Sequence, residues 1–389
     1  MTTIPAPSTA PAGASAWVTI DLGAIADNVR ALRERAGSAE VMAVVKADAY
    51  GHGLIAAARA ARAGGATWLG VAQLSEAIAL RAAGATGPIL TWIYAPGADL
   101  GAAIDADITV TVGSISMLNA VVAAAHSRGV TAEIELKVDT GLGRGGALGE
   151  GWDELAVAAA RAAAEQSVRI GGVWSHFAWA DAPEHPTVRA QQERFIEATN
   201  GLERIGIRGI RRHLANSAAT LTNPSAHFDL VRPGLAVYGL SPVPDLGGPA
   251  DFGLREAMRV TARLSLVKRA TAGQGVSYGH EHTTSSETVL GLVPVGYADG
   301  VPRAAGSLGP VQLDGRRTTI AGRVCMDQFV LDLGPDFAGA AGDEVVILGS
   351  QALGEPTAQD WAEATGTINY EIVTRISPRL PRVFLGGEP

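Results

Sequence analysis

The stretch VMAVVKADAYGHGLIAAARAARAGG, residues 41–65, predicts one complete strand-and-helix unit. Its apolar run at residues 41–45 is typical of a buried parallel strand, and the alanine-rich segment that starts at Leu54 predicts a helix packed on it. Lys46 places a cation directly after the strand. A lysine at a strand end usually extends its amine into water, so Lys46 taken alone does not indicate a functional site.

The same alternation of strand and helix continues along the first part of the chain. Seven more apolar runs resemble buried parallel strands, namely WLGVA, PILTWIY, ITVTV, AEIELKVD, GGVWSHF, RHLANS and LVRPGLAVYG. Eight units over roughly 230 residues favour an α/β fold with a closed (β/α)8 TIM-type barrel over an open doubly wound sheet, which usually has five or six parallel strands. No GxGxxG motif follows the first strand, which disfavours dinucleotide binding.

A different pattern follows the barrel. Period-two alternation with frequent glycines, as in RVTARLSLVKRA and TVLGLVPVGYADG, predicts a mainly β second domain. We therefore expect a flexible tail at residues 1–15, a barrel at residues 16–250 and the β domain at residues 251–389, with the first short strand able to pair with the second domain. One helix, TAQDWAEATG, interrupts the β pattern, and Thr357 is its predicted N-cap.

Composition excludes several classes of partner. The chain of 389 residues has a net charge of −8 and no cluster of basic residues, so neither nucleic acid nor an anionic membrane is expected as a partner. Its single cysteine, Cys325, excludes an internal disulfide and a cysteine-rich metal site. The first 15 residues lack the charged and apolar segments of a secretory signal, and no apolar run is continuous enough for a membrane helix. We expect a cytoplasmic protein without a bound metal.

Polar residues follow several of the predicted strands. His176 ends the sixth strand, Asn216 and Ser217 end the seventh, and Arg232 begins RPG in the eighth. Because the carboxyl ends of barrel strands meet at one face, we expect these side chains near Lys46. Together they supply an amine, a hydroxyl and backbone pocket and a fixed cation, which suit an anionic aromatic cofactor. A desolvated amine with a lowered pKa is suited to form a Schiff base with such a cofactor.

Motifs in both domains resemble those of alanine racemases, which are enzymes that use pyridoxal 5'-phosphate. The matching segments, in chain order, are AVVKADAYGHG, KVDTGLGRGG, HFAWAD, HLANSAA, RPG, VSYG, GYADGVPR, GRVCMDQ and TINYEIV. The resemblance spans residues 16–386. It implies interconversion of L-alanine and D-alanine, a peptidoglycan precursor, by a homodimer with shared active sites.

The resemblance assigns the acid/base residues. Lys46 matches the lysine that binds the cofactor covalently, and Tyr278 matches a second acid/base group that comes from the opposite subunit. A racemase removes a proton from one face of the α-carbon and returns one to the other, so it needs two such groups. A free tyrosine titrates near pH ~10, and the resemblance gives His176 and Arg232 the task of favouring its phenolate. Arg232 also matches a residue that faces the ring nitrogen of the cofactor, where a guanidinium can only donate.

The remaining matches concern binding. The predicted pocket for the cofactor comprises Lys46, Tyr50, Asn216, Ser217, Arg232, Gly234 and Tyr370. The predicted contacts of the substrate carboxylate are Arg144, the backbone N–H of Met326 and, beside it, Asp327. The predicted entrance comprises Trp179, Tyr297, Arg303 and Arg323. Lys137 matches a lysine that is often carbamylated in the family, which would convert a cation near Arg144 into an anion able to orient it.

Three positions depart from the family pattern: Leu142 and Gly145 stand where methionine and leucine are expected, and Trp179 replaces a smaller residue. None of these removes a reactive group, but Trp179 leaves the size of the substrate open. A racemase of broader specificity or for serine is therefore an alternative. A decarboxylase of the same architecture would carry a cysteine-centred motif where this chain has CMDQ, and a cofactor-carrier protein without catalysis would need no second domain.

Overall fold

The computed structural model describes residues 10–386. Residues 1–9 of the predicted tail lie outside the described residues. Residues 10–15 include a turn in which the Ala14 N–H donates to the Pro11 carbonyl at 3.0 Å. The first strand, β1 (Ala16–Asp21), follows.

The next eight strands form a single parallel sheet, which confirms the predicted barrel over the open doubly wound alternative. These strands are β2 (Glu40–Val44), β3 (Trp68–Gln73), β4 (Ile89–Ile93), β5 (Thr109–Val112), β6 (Ala132–Lys137), β7 (Val168–Trp174), β8 (Arg211–His213) and β9 (Leu230–Val231). They lie in the order β8-β7-β6-β5-β4-β3-β2-β9. The ring closes between β8 and β9, where the Asp229 N–H donates to the Arg212 carbonyl at 3.0 Å and the Arg232 N–H to the Ala215 carbonyl at 2.9 Å.

Helices alternate with these strands and cover the barrel. They are α1 (Leu22–Ala36), α2 (Lys46–Tyr50), α3 (Leu54–Ala63), α4 (Leu74–Ala82), α5 (Leu100–Asp105), α6 (Ile115–Arg128), α7 (Glu150–Ala164), α8 (Pro186–Arg204) and α9 (Ser217–Thr222). The helix α1 begins where the Asp21 carboxylate accepts a hydrogen bond from the Ala24 N–H at 2.8 Å. A small cluster that includes Met42, Trp68 and Trp174 is separate from the main core. These inward residues of the barrel strands form a packed interior instead of a channel.

The second half of the chain is mainly β, as its alternating pattern predicted. Its strands are β10 (Met258–Arg263), β11 (Leu266–Ala270), β12 (Gly275–Val276), β13 (His282–Thr283), β14 (Thr288–Val293), β15 (Pro310–Leu313), β16 (Arg316–Thr319), β17 (Phe329–Asp332), β18 (Glu344–Leu348) and β19 (Arg382–Leu385). A six-stranded sheet has the order β16-β15-β18-β10-β1-β19, so β1 pairs with β10 and β19 of the second half of the chain. The other sheets are β11-β14-β17 and β12-β13.

Two α-helices lie in this second part up to residue 386, α10 (Ala358–Thr365) and α11 (Asn369–Thr374). The predicted N-cap of α10 is confirmed, because the Asp360 N–H donates to Thr357 Oγ1 at 3.0 Å. In return the Thr357 N–H donates to the Asp360 carboxylate at 2.8 Å, which completes a capping box. The helix α11 carries Tyr370 to the barrel, where its ring lies 6.3 Å from that of Tyr50.

Candidate active site

Lys46 follows the first barrel strand and precedes an unusual backbone segment. Ala47, Asp48, Ala49 and Tyr50 all have φ between +52° and +54°, so that α2 is a single left-handed turn. Left-handed backbone costs a residue other than glycine roughly 1–2 kcal/mol, and contacts from the surrounding structure must therefore hold it. The lysine side chain is partly buried.

The amine of Lys46 has a lowered pKa. Its largest cause is burial, because a charged amine loses hydration there, and the second is the nearby Arg144 guanidinium. Glu76 acts in the opposite direction. A neutral amine, which can attack a carbonyl or accept a proton, is consequently more accessible at neutral pH than in a free lysine.

Arg232 is a buried cation whose direct partners are neutral. It is 5% exposed, and it donates to the Ser175 carbonyl at 2.7 Å. It also lies 3.2 Å from Nδ1 of His213 and 3.4 Å from Nδ1 of His176. Since a guanidinium can only donate, both imidazole nitrogens must be acceptors, which requires neutral rings. Burial and then the Arg232 charge hold the pKa of His176 well below its ordinary value, in agreement with this assignment.

A carboxylate extends this arrangement into the barrel wall. Nε2 of His213 donates to Glu135 at 2.8 Å, and neither side chain is exposed. The resulting chain is Glu135, His213 and Arg232. Burial lowers the pKa of Arg232 to about 10, and the charge of Glu135 opposes that shift. Arg232 therefore remains a cation at neutral pH.

Sequence analysis missed both His213 and Glu135. Glu135 lies in β6, at a position where the side chain points into the protein interior and is fully buried. The Glu135 carboxylate occupies space left by Gly172 in the neighbouring strand, since a Cβ at residue 172 would lie 2.7 Å from Glu135 Oε1. A glutamate within the apolar strand AEIELK was the available signal, since buried glutamates almost always have a partner.

A pocket of hydroxyl and amide groups lies beyond β8 and β9. Ser217 Oγ accepts hydrogen bonds from the Gly234 N–H at 2.7 Å and the Ala236 N–H at 3.3 Å. Tyr50 is 6% exposed and lies against Gly234, where an added Cβ would be 2.9 Å from Tyr50 Cζ and still closer to its hydroxyl oxygen. The absence of a side chain at residue 234 therefore leaves the hydroxyl of Tyr50 beside these groups.

Both tyrosines of the pocket keep their protons at neutral pH. Burial raises the pKa of Tyr50 far above its ordinary value and that of Tyr370 to about 12. Asn216 begins α9 and accepts a hydrogen bond from the Ala219 N–H at 3.1 Å. The pocket can therefore donate hydrogen bonds to an anion without placing a second full positive charge beside it.

Lys137 and Arg144 lie on either side of a compact loop. The Asp139 carboxylate accepts from the backbone N–H groups of residues 141–144 at 2.9 to 3.2 Å, which folds the loop around it. The Lys137 amine lies 4.3 Å from the ring centre of Trp174. Burial, and then the charge of Arg144, lowers the pKa of Lys137 to about 8.

The remaining predicted residues, apart from Trp179, belong to the second half of the chain. We call this set the second-domain face; it comprises Tyr278, Tyr297, Arg303, Arg323, Met326 and Asp327. Hydrogen bonds connect its segments; among them, Ser277 Oγ donates to the Arg323 carbonyl at 2.7 Å, and the Tyr297 N–H donates to the Cys325 carbonyl at 3.0 Å. Between residues 10 and 386, no hydrogen bond or ion pair joins this face to the predicted residues of the barrel.

The second-domain face is open in a single chain. Tyr278 is 70% exposed and Met326 is 54% exposed. Arg323 donates to Glu281 at 2.7 Å, and Asp327 accepts from Arg379 at 2.9 Å. The structure thus places the predicted residues in two sets, one within the barrel and one on this face.

Trp179 follows β7 and is 46% exposed. Its ring stacks on that of His185, with 4.2 Å between the ring centres and 7° between the planes. His185 in turn begins α8, where its Nδ1 accepts from the Thr187 N–H at 3.2 Å. The Trp179 ring is therefore held against the N-terminus of α8, in the segment that follows β7.

Residues 10–386 offer neither a metal centre nor a membrane-spanning helix. No group of three or more histidine, cysteine, aspartate or glutamate side chains in this range could hold a metal ion. No helix in it is long and apolar enough to cross a membrane.

Known proteins match both halves of the chain. Residues 20–242 match the family profile described as alanine racemase, N-terminal domain, and residues 257–384 match that of the C-terminal domain. The alanine racemase of Frankia casuarinae is 57% identical over 366 residues, which cover 94% of this chain and 95% of that protein. The alanine racemase of Streptomyces coelicolor is 56% identical over 371 residues, with the same two coverages of 94% and 95%. The crystal structure of alanine racemase from D-cycloserine producing Streptomyces lavendulae superposes with a TM-score of 0.96 at 54% identity and covers 97% of this chain and 99% of that one.

Proposed function

The chain belongs to the alanine racemase family, and we propose that it interconverts L-alanine and D-alanine with pyridoxal phosphate and two acid/base groups. These groups are Lys46 of one subunit and Tyr278 of the other in a homodimer. The observation that carries this proposal is the division of the site: Lys46 is partly buried in the barrel, whereas Tyr278 is 70% exposed on the second-domain face.

The residues in the barrel fit this cofactor. Lys46 offers an amine with a lowered pKa for covalent attachment. The space beside Gly234, which a Cβ would fill, adjoins the hydroxyls of Tyr50 and Ser217, and these groups would hold the phosphate together with Tyr370. Bound pyridoxal phosphate supplies an electron sink that makes the α-proton of an attached amino acid removable.

Arg232 and His176 would set the electrostatics of the site. The partners of Arg232 within the barrel are carbonyls and neutral imidazoles, so its charge stays available to the cofactor ring. A guanidinium holds its protons at neutral pH and therefore does not protonate the ring nitrogen. His176 remains neutral beside it, and because its Nδ1 accepts from Arg232, its Nε2 carries the proton and can donate a hydrogen bond.

Arg144 would bind the substrate carboxylate together with the backbone N–H of Met326, since a fork of donors matches a carboxylate. Asp327 lies beside that contact. Burial and Arg144 lower the pKa of Lys137 to about 8, so more of its amine is neutral at pH 7 than in a free lysine, and the neutral amine can react with carbon dioxide. A carbamate at Lys137 would attract the Arg144 guanidinium and fix its position.

The entrance would be formed by Trp179 with Tyr297, Arg303 and Arg323. Their bulk favours alanine over larger amino acids. The second candidate activity is racemisation of serine or of a broader set of amino acids, which differs only in the size accepted at this entrance. We extend the proposal to a role in the cytoplasm, where the enzyme would supply D-alanine for peptidoglycan. The single cysteine, Cys325, is compatible with a reducing compartment because it forms no internal disulfide.

Chiral chromatography after incubation with single amino acids tests the reaction. L-Alanine and D-alanine should each give an equal mixture of both isomers, and in deuterium oxide both products should carry deuterium at the α-carbon. Serine should react more slowly. Release of carbon dioxide, or no change in configuration with the cofactor bound, would contradict racemisation.

Mixed dimers test the shared site. Chains with Lys46→Ala and chains with Tyr278→Ala should recover activity on mixing, because one of the two sites then has both intact groups. The matched control combines Lys46→Ala with His176→Ala, two changes within the barrel set, and should recover none. If the first pair recovers no activity despite proven subunit exchange, the proposal that Lys46 and Tyr278 of one site come from opposite chains is wrong.

A further inference from the structure

The left-handed turn after Lys46 is held by a carboxylate from the next barrel unit. Glu76 lies in the first turn of α4, and its Oε1 accepts a hydrogen bond from the Ala47 N–H at 2.6 Å. We propose that Glu76 is a positioning residue for the reaction: it fixes the amide that follows Lys46 and thereby the direction of the lysine side chain. This inference rests on the proposed role of Lys46.

The contact with Ala47 is separate from the role of Glu76 in its own helix. The other carboxylate oxygen, Oε2, accepts from the Gln73 N–H at 2.9 Å and the Ala72 N–H at 3.1 Å, which closes the capping box of α4. The helix therefore needs only Oε2. Oε1 is directed to another strand-and-helix unit, 29 positions earlier in the chain.

The turn has different supports at its two ends. At the far end, Asp48 accepts from the Leu54 N–H at 2.7 Å, and a Cβ at Gly51 would lie 2.6 Å from the Val373 carbonyl. At the near end, Glu76 provides the side-chain hydrogen bond to Ala47. Four successive residues with positive φ have no local preference for this conformation, so loss of the near support should release the lysine end first.

The charge of Glu76 also acts on the amine. It favours the protonated form of Lys46, whereas burial and Arg144 favour the neutral form. The other titratable groups that face or influence this amine are Tyr50, Lys137 and His176. Removing the carboxylate should therefore both loosen the turn and lower the pKa of Lys46.

Glu76→Gln separates the two functions of the side chain. Glutamine can still close a capping box through its one carbonyl oxygen, but it has no second acceptor for the Ala47 N–H. Glu76→Ala removes both contacts. The matched control is Asp360→Asn, which alters the capping box of α10, a helix of the second domain.

Two measurements on the cofactor-free full chain test the inference. Hydrogen exchange should be about 10- to 100-fold faster for residues 47–50 in Glu76→Gln, as loss of a charge-assisted hydrogen bond predicts. The pH midpoint for acylation of Lys46, followed by peptide mass spectrometry, should fall. Lys268, which lies in β11 of the second domain, serves as the internal reference. The kcat of the loaded enzyme should fall about 10-fold, with a smaller change in KM.

Asp360→Asn should speed exchange only in α10 and leave Lys46 unchanged. The inference is overturned if Glu76→Gln keeps the exchange of residues 47–50 and the Lys46 midpoint of the parent chain. It is also overturned if the exchange rates and the Lys46 midpoint change only to the extent that the whole chain is destabilised, because loss of the α4 cap alone would have that effect. The exchange rates and the Lys46 midpoint are both measured on the cofactor-free chain. They therefore test the positioning role of Glu76 even if the parent enzyme does not racemise alanine.

Discussion

Replacing Gly234 with alanine should disturb the proposed phosphate pocket through one contact. Gly234 has φ −114°, outside the left-handed region that favours glycine, so the expected disturbance comes from the contact made by the added Cβ. The added Cβ would lie 2.9 Å from Tyr50 Cζ and still closer to the hydroxyl oxygen, well inside the 3.4 Å at which ordinary contact begins. The ring has little room to move, because it packs at 5.0 Å from Tyr238 and 6.3 Å from Tyr370.

The expected cost is that of overpacking a filled site, about 1–3 kcal/mol. We expect the free energy of unfolding of the cofactor-free chain to fall by that amount, measured in urea at a fixed protein concentration because the protein is proposed to be a dimer. Affinity for pyridoxal phosphate should fall about 10-fold or more if the Tyr50 hydroxyl is displaced from the phosphate. Absorbance titration of the cofactor measures the second effect.

A second substitution isolates the contact. Tyr50→Phe removes the hydroxyl and thus the closest approach, so that Gly234→Ala should cost less in the Tyr50→Phe background, with a coupling of roughly 1 kcal/mol. The control is Gly151→Ala in α7, where no atom lies within 4 Å of the added Cβ and alanine should be neutral or slightly stabilising. Unchanged stability of Gly234→Ala, or strictly additive effects with Tyr50→Phe, would refute the reasoning.

Three further changes test other parts of the structure. Burial lowers the pKa of the fully buried His52 to about 4, whereas a histidine in the unfolded chain titrates near 6.5. The free energy of unfolding is therefore unaffected by this group above pH 6.5 and falls as the pH drops from 6.5 toward 4, because the unfolded state binds the proton more readily. In urea titrations over that window, the parent chain should lose up to about 3 kcal/mol more than His52→Gln. Glu135→Gln should lower the free energy of unfolding by about 1–3 kcal/mol, because it places an amide N–H₂ where Oε1 has no hydrogen-bond partner in the described structure. In competition assays, Trp179→Ala should increase kcat/KM for serine relative to kcat/KM for alanine by up to about 10-fold, because it removes a large aromatic side chain from the proposed entrance.

The sequence predicted the parts of the fold that depend on local periodicity. Apolar runs separated by alanine-rich segments specify the barrel, since each strand is buried on both faces and each helix on one. The left-handed turn at residues 47–50 had no such signal, because Asp48 alone among its four residues is of a type enriched at positive φ. Only Gly51 and Gly53 mark an irregular backbone nearby. The turn is specified by contacts with Glu76 and Val373, which are distant in the sequence.

The same limit applies to the polar network. Glu135 and His213 are 78 positions apart, and a spacing of that length carries no information about contact. The position of Arg232 at a strand end was predicted, but its orientation depends on the two imidazoles, whose acceptor nitrogens are specified only by the folded arrangement. The sequence therefore predicted which groups meet at the barrel face better than how each is held.

The exposed second-domain face bears directly on the proposed dimer. A single chain leaves Tyr278 70%, Met326 54% and Tyr297 40% exposed. Large apolar and aromatic side chains grouped on one surface mark an interaction site, because water solvates them poorly. The barrel set is partly buried instead, and the proposed mechanism requires a second acid/base group on the other side of the substrate from Lys46. In the proposed dimer, covering the first surface with the barrel mouth of the partner would bury the exposed aromatic side chains and bring Tyr278 to Lys46 in one contact, and two-fold symmetry would repeat that contact at the other site.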